Sequence, residues 1–179
     1  MNVKQTIDAM AQNKLNVLHW HLVDAQSFPF DSPSANQAVK GAYAPNMVYS
    51  YDDIRETVEL ATSRGIRVEI EIDIPGHAAS WGKGYPNVVA NCPTKSANIN
   101  NVPLNPALEE TYDVVKAVLD DVHSVTPDAF THLGGDEVRV FCLYVCLFLI
   151  NFNMKMIMSA MLLYVDVLLY CYCLCGFWR

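Results

Sequence analysis

Three strand-like stretches in this chain are kept apart by amphipathic helices, and that spacing excludes hairpins. The first runs from Leu15 to Asp24, the second from Ile66 to Ile74, and the third opens at Phe130 and leads to Gly134-Gly135. Strands joined through helices pair in parallel, with right-handed crossovers. The helices carry their own punctuation. Residues 2–15 repeat Val3, Ile7 and Met10 at helical spacing, and Asn13-Lys14 ends the run. Ser50 stands as an N-cap with Asp53 at the capping-box position. Ile54, Val58 and Ala61 form that helix's apolar stripe, and Gly65 stops it. In the third helix Asn105 is expected to cap, Pro106 to take the first turn, and Leu108, Tyr112, Val115, Leu119 and Val122 to face the core. The first strand is apolar enough to read as buried on both faces.

The reactive side chains share one address. Asp24, His77, Asp136 and Glu137 all fall at or just beyond the C-terminal end of a strand. In α/β barrels that is the catalytic face, and in open α/β sheets it is the ligand crevice. Asp136-Glu137 is the pair that most invites chemistry. Adjacent carboxylates oppose each other's ionisation, and one that keeps its proton near neutral pH is a general acid. Gly134 and Gly135 let the backbone turn and let another group approach. Glu69, Glu71 and Asp73 alternate along the second strand and share a face, so they need partners, expected at Arg67 or in segments outside the chain. The segment after Asp24, with Pro29, Pro33 and Pro45, exceeds an ordinary connection and suggests a binding wall.

With 179 residues the chain holds one domain but falls short of the roughly 250 of a complete (β/α)8 barrel. Residues 1–137 carry 18 acidic against 9 basic side chains, without a basic patch, which argues against a nucleic-acid partner. Residues 138–179 are different: 34 of the 42 are apolar and five of the six cysteines lie there. Met156 to Cys175 is long enough to span a bilayer but is interrupted by Ser159 and Asp166. The start of the chain shows no secretory signal.

Three blocks carry a family resemblance. They are His19-Trp20-His21-Leu22-Val23-Asp24-Ala25-Gln26-Ser27-Phe28-Pro29, then Ile72-Asp73-Ile74-Pro75-Gly76-His77 with Ser80-Trp81-Gly82, then His132-Leu133-Gly134-Gly135-Asp136-Glu137. In this order and spacing the chain resembles the β-N-acetylhexosaminidases of glycoside hydrolase family 20, over about residues 2–137. The resemblance implies an α/β fold: a partial (β/α)8 TIM barrel, roughly strands 2–4 with their helices, followed by an apolar C-terminal tail. It implies substrate-assisted catalysis without cofactor or metal. Glu137 would be the acid and base, and Asp136 would orient the substrate's acetamido group. Asp24 and His77 would form a hydrogen-bonded relay to Glu137, and Trp81 would help wall the sugar site. It further implies a glycan or glycoconjugate substrate, a lysosomal or secreted full-length parent, family members that are often dimeric, and a disulfide between Cys92 and Cys142.

Two rival readings stand beside it. His19 and His21 lie two apart on one strand face, as at the start of a zinc hydrolase site, a reading that needs further histidines or a bridging carboxylate on later strands. Alternatively the chain is a truncated, non-catalytic, membrane-associated product whose role lies in the tail. The expected division is a partial glycosidase barrel over 1–137 and a low-complexity tail over 138–179, the latter read as intron read-through.

Overall fold

The computed structural model describes residues 3–90 and 99–135. Asp136, Glu137, the tail, Cys92 and Cys142 lie outside the described residues. The element order is α1 (Val3–Gln12), β1 (Val17–Val23), α2 (Tyr51–Ser63), β2 (Arg67–Ile72) and α3 (Glu109–Val125), with short 3-10 turns in the long connections.

β1 and β2 pair in parallel, with Val17 opposite Arg67 and His21 opposite Glu71. The third stretch is shorter than the sequence suggested. It joins as one parallel bridge, Glu71 to His132, extended by Ile74 N–H donating to Leu133 O at 2.9 Å. The parallel order follows from the helical crossovers. α2 leads back to the start of β2, and Gly65, at φ 71°, lets the chain leave the helix.

The two faces of this sheet differ. Leu22, Val68, Ile70 and Ile72, with Trp20, pack against Ile7 and Met10 of α1 and Ile54, Val58 and Ala61 of α2. Each fully buried aliphatic side chain there contributes about 1.5–3 kcal/mol. The opposite face carries Val17, His19, His21, Glu69 and Glu71. β1 is therefore not buried on both faces as its composition suggested: the His19 and His21 side chains are 50% and 43% exposed. Most of its apolar residues crowd one face, and the histidines share the other with Val17.

α2 forms where expected. Ser50 Oγ accepts from Asp53 N–H at 3.1 Å, and Asp53 accepts in return from Ser50 N–H at 2.9 Å. α3 departs from expectation. It starts at Glu109 after Leu108, which makes no side-chain cap. Asn105 Oδ1 instead accepts from Ala107 N–H at 3.1 Å, closing a turn that precedes the helix. The buried stripe is Val114, Val118, Val122 and Val125, with Thr111 and Asp121. The sequence offers two overlapping apolar stripes, and β-branched Val114 and Val118 win the core while Val115 and Leu119 flank it.

The connection after β1 is a packed body rather than an open strap. Phe28, Phe30, Ala35 and Ala38 are buried, and Phe28 meets Trp81 edge-on with ring centroids 4.9 Å apart. Asp121 of α3 holds this connection, accepting from Ser32 Oγ at 2.5 Å and from Ser34 N and Oγ at 2.9 and 2.8 Å. The turns Ala38–Gly41 and Trp81–Lys83 lie against each other. A Cβ on Gly41 would sit 2.4 Å from Ser80 O, and one on Gly84 only 1.9 Å from Gln37 O.

Candidate active site

Asp24 leaves β1 at a tight turn, exchanging backbone hydrogen bonds with Ser27 at 3.2 Å in both directions. A register shift between His21 and Val23 breaks the strand's alternation just before it, as bulges beside functional sites do. His77 arrives from β2 through the cis Ile74–Pro75 bond and takes φ 50°. Its ring is buried, 8% exposed as a residue. His77 Nδ1 donates to Asp24 Oδ1 at 2.8 Å and faces Asp73 Oδ2 at 3.4 Å. Ionised carboxylates only accept, so Nδ1 carries the proton and the ring orientation is fixed. Asp24 Oδ1 also accepts from Ala25 N–H at 2.5 Å, and Asp24 O accepts from Ser80 Oγ at 2.6 Å. Asp24 and His77, 53 positions apart in sequence, thus meet.

The approach to Asp136-Glu137 is described as far as Gly135. Gly134 and Gly135 take φ 66° and 93°, conformations in which a side chain is strained. What crowds Gly134 is carboxylate: a Cβ there would lie 2.1 Å from Asp73 Oδ1 and 3.0 Å from Glu71 Oε1. Gly135 N–H points at Asp73 Oδ1 at 3.4 Å. Asp73, 1% exposed, therefore lies between His77 on one side and the glycine turn on the other.

The partners of the alternating acids meet the expectation at Glu69 and depart from it at Glu71. Arg67 serves Glu69 at 2.9 Å and Asp128 at 2.5 Å but not Glu71. Glu71 is bonded by His19 Nε2 and faced by His132 Nδ1 at 3.3 Å and His21 Nδ1 at 3.6 Å. Sequence reasoning passed over Asp73, Glu71 and His132 as site residues. The signal was available in the two polar alternations, His19/His21 and Glu69/Glu71/Asp73, which register brings face to face. Trp81 is fully buried against Phe28 and offers solvent no surface.

Among the described residues, two side-chain groups bring ligand-type atoms within 4.8 Å of one another: His19, Glu71 and His132, and His21, Asp24 and Asp73. The first supplies the bridging carboxylate and further histidine that the zinc reading required. In both groups the carboxylates already lie against imidazole nitrogens. A cavity of about 340 Å³ lined by Thr62, Ile66, Pro127 and Asp128 opens at the start of β2, away from Asp24 and His77. Arg67 and Asp128 line it, but none of Asp24, Glu71, Asp73, His77 and His132 does.

The model of the glycosyl hydrolase family 20 catalytic domain matches residues 1–164. The chain belongs to this family. It is 44% identical over 136 residues to β-hexosaminidase subunit A1 of Dictyostelium discoideum, covering 76% of this chain and 26% of that protein. Human β-hexosaminidase subunit beta is 44% identical over 142 residues, covering 78% and 26%. Among solved structures, a Flavobacterium johnsoniae chitobiase superposes with TM-score 0.70 at 32% identity, covering 80% of this chain and 22% of that one. A Streptomyces plicatus N-acetyl-β-hexosaminidase in complex with Thio-NAglucal gives 0.67 at 29% identity, covering 81% and 32%. The chain thus spans about a quarter of the length of the curated relatives it matches. The described α/β portion is part of the family's TIM-barrel architecture. The family match also runs past Glu137 into the apolar segment, as far as residue 164.

Proposed function

We propose that this chain is the part of a retaining exo-β-N-acetylhexosaminidase that carries its acid–base machinery, and that the complete parent removes terminal N-acetylglucosamine or N-acetylgalactosamine from glycoconjugates or chitin oligomers. The carbonyl oxygen of the substrate's acetamido group attacks the anomeric carbon as the glycosidic bond breaks. Glu137 gives its proton to the departing oxygen, and the product is a cyclic oxazolinium ion. Asp136 stays ionised beside the acetamido nitrogen, where positive charge grows. Glu137, now a carboxylate, takes a proton from water as the water opens the ring with net retention. This scheme departs from the two-carboxylate displacement of most glycosidases.

The observation that carries this reading is the Asp24–His77 hydrogen bond. It fixes an imidazole at the strand ends, with its proton on Nδ1. Asp24, His77 and Glu137 then act as a relay that orients the acid. The parent is lysosomal or secreted and works without cofactor. This segment alone, exposing part of a barrel's inner face, is inactive.

In the full-length parent, Glu137→Gln abolishes hydrolysis of aryl N-acetylglucosaminides and Asp136→Asn depresses it strongly. Near-normal rates in both variants would refute the assignment. The second reading, a metal hydrolase, is favoured by the His19–Glu71–His132 group. It requires stoichiometric metal and loss of activity on chelation, whereas the glycosidase is indifferent to chelator. Residues 138–179 we assign to intron read-through. Peptides from within 143–178 in natural material would contradict that assignment.

A further inference from the structure

Glu71 sits near the C-terminal end of β2 with 5% of its surface exposed. A carboxylate taken out of water costs several kcal/mol unless it is well partnered. Three imidazoles surround Glu71, drawn from the strands on either side: His19, which bonds it, and His21 from β1, and His132 from the bridge that follows α3. Two of the three lead onward to different halves of the site. His21 places its second nitrogen, Nε2, 3.6 Å from Asp24 Oδ2, so Glu71, His21, Asp24 and His77 form one continuous chain of polar contacts. His132 Nδ1 accepts from Gly134 N–H at 3.0 Å, so its approach to Glu71 Oε1 at 3.3 Å is a packing contact and carries no hydrogen bond of its own. The bare Cα of Gly134 also packs over Glu71 Oε1, where a Cβ would come to 3.0 Å. His19 stacks on His132 with ring centroids 4.7 Å apart and fixes that ring in turn. Glu71 thus touches both the histidine path that holds Asp24 and the glycine turn that delivers Asp136 and Glu137.

We propose, resting on the glycosidase reading above, that Glu71 is a positioning residue for the acid–base step, holding Asp24 through His21 and the Gly134-Gly135 turn by packing directly against Gly134, so that the relay and the acid keep one geometry. A group in this role touches no substrate. Its loss misplaces the acid by a fraction of an ångström to an ångström and leaves sugar binding in place. A plain core ion pair would act only on the amount of folded protein and would treat all substrates alike.

The test uses the full-length parent with Glu71→Gln, which keeps the shape and removes the charge. Hydrolysis is compared on methylumbelliferyl and dinitrophenyl N-acetyl-β-glucosaminides, with kcat corrected for active-site concentration. We expect kcat on the methylumbelliferyl substrate to fall about 100-fold, the scale of a 1 Å misplacement, with KM little changed. The dinitrophenyl substrate, whose leaving group needs little proton donation, should fall much less. Glu71→Gln added to Asp24→Asn should cost little beyond Asp24→Asn alone, because contacting residues in one network are not additive. Equal losses on the two substrates, an unchanged kcat, or full additivity would each overturn the proposal. Should Glu71→Gln fail to fold, His21→Gln at its half-exposed position breaks only the Asp24 link. It must show the same leaving-group dependence, and an unchanged ratio refutes the role. A wild-type parent inactive on both substrates removes the glycosidase reading itself, an outcome distinct from an active wild type whose variants behave alike.

Discussion

Gly134→Ala and Gly65→Ala form a matched pair that separates two costs usually seen together. Both glycines hold left-handed backbone, with φ 66° and 71°. For an alanine that conformation costs about 1–2 kcal/mol. At Gly65 nothing lies within 4 Å of the added Cβ, so the backbone term is the whole cost. At Gly134 the same methyl meets Asp73 Oδ1 at 2.1 Å, Asp73 Cγ at 2.6 Å and Glu71 Oε1 at 3.0 Å. Asp73 has a short side chain, 1% exposed and engaged with His77 and the Gly135 N–H, so it cannot swing clear cheaply. Forced contact of this kind adds about 1–3 kcal/mol. Gly134→Ala should therefore destabilise by about 2–5 kcal/mol against about 1–2 for Gly65→Ala. With a urea slope near 2 kcal/mol/M, the Gly134 variant should unfold about 0.5–1.5 M earlier than the Gly65 variant. The assay is equilibrium unfolding followed by fluorescence of the buried Trp20 and Trp81. Coincident midpoints would show that Asp73 and Glu71 do not press on the glycine turn, and the link between β2 and the site would fall with them.

Two further outcomes probe the scaffold. Ser50→Ala removes an N-cap and should cost about 1 kcal/mol in thermal or urea unfolding. Hydrogen bonds from the Ser50 hydroxyl and backbone hold the Asp53 carboxyl below its ordinary range. A depressed carboxyl contributes stability above its unfolded pKa and loses it as pH falls through the folded value, so the wild type should lose stability more steeply than Ser50→Ala below about pH 4. Asp121→Ala strands Ser32 and Ser34 and should cost about 2–3 kcal/mol, with faster proteolysis between Ala25 and Tyr49 as the readout. Cleavage at the wild-type rate would mean that α3 does not hold that connection.

What the sequence disclosed was local or positional. The Ser50/Asp53 box and the Ile54, Val58, Ala61 stripe need only neighbours in the chain, and both stand as read. That Asp24 and His77 end on the same side was legible because parallel topology sends every strand end there, and their bond to each other was implied by the family resemblance. The start of α3 was misread because Asn105 satisfies a turn as readily as a helix. The core face of α3 was misread because its two apolar stripes lie side by side. Glu71, Asp73 and His132 stayed hidden because their meaning depends on register. Only when His21 stands opposite Glu71 does an alternating acidic strand become a carboxylate ringed by imidazoles. Trp81 was placed by its motif, but whether a tryptophan faces sugar or Phe28 is decided by packing that no spacing encodes.

The interlocked turns above β1 and β2 constrain how this family member can diversify. Gly41 against Ser80 and Gly84 against Gln37 leave no room for a side chain on either seam, so the two connections behave as one inherited part. A chimera that imports the first connection from a relative while keeping the second would bring mismatched backbones into a gap narrower than a methyl group. Successful recombination should therefore place its crossovers outside the pair, before Asp24 or after Tyr85, and loop libraries should vary the two connections in concert.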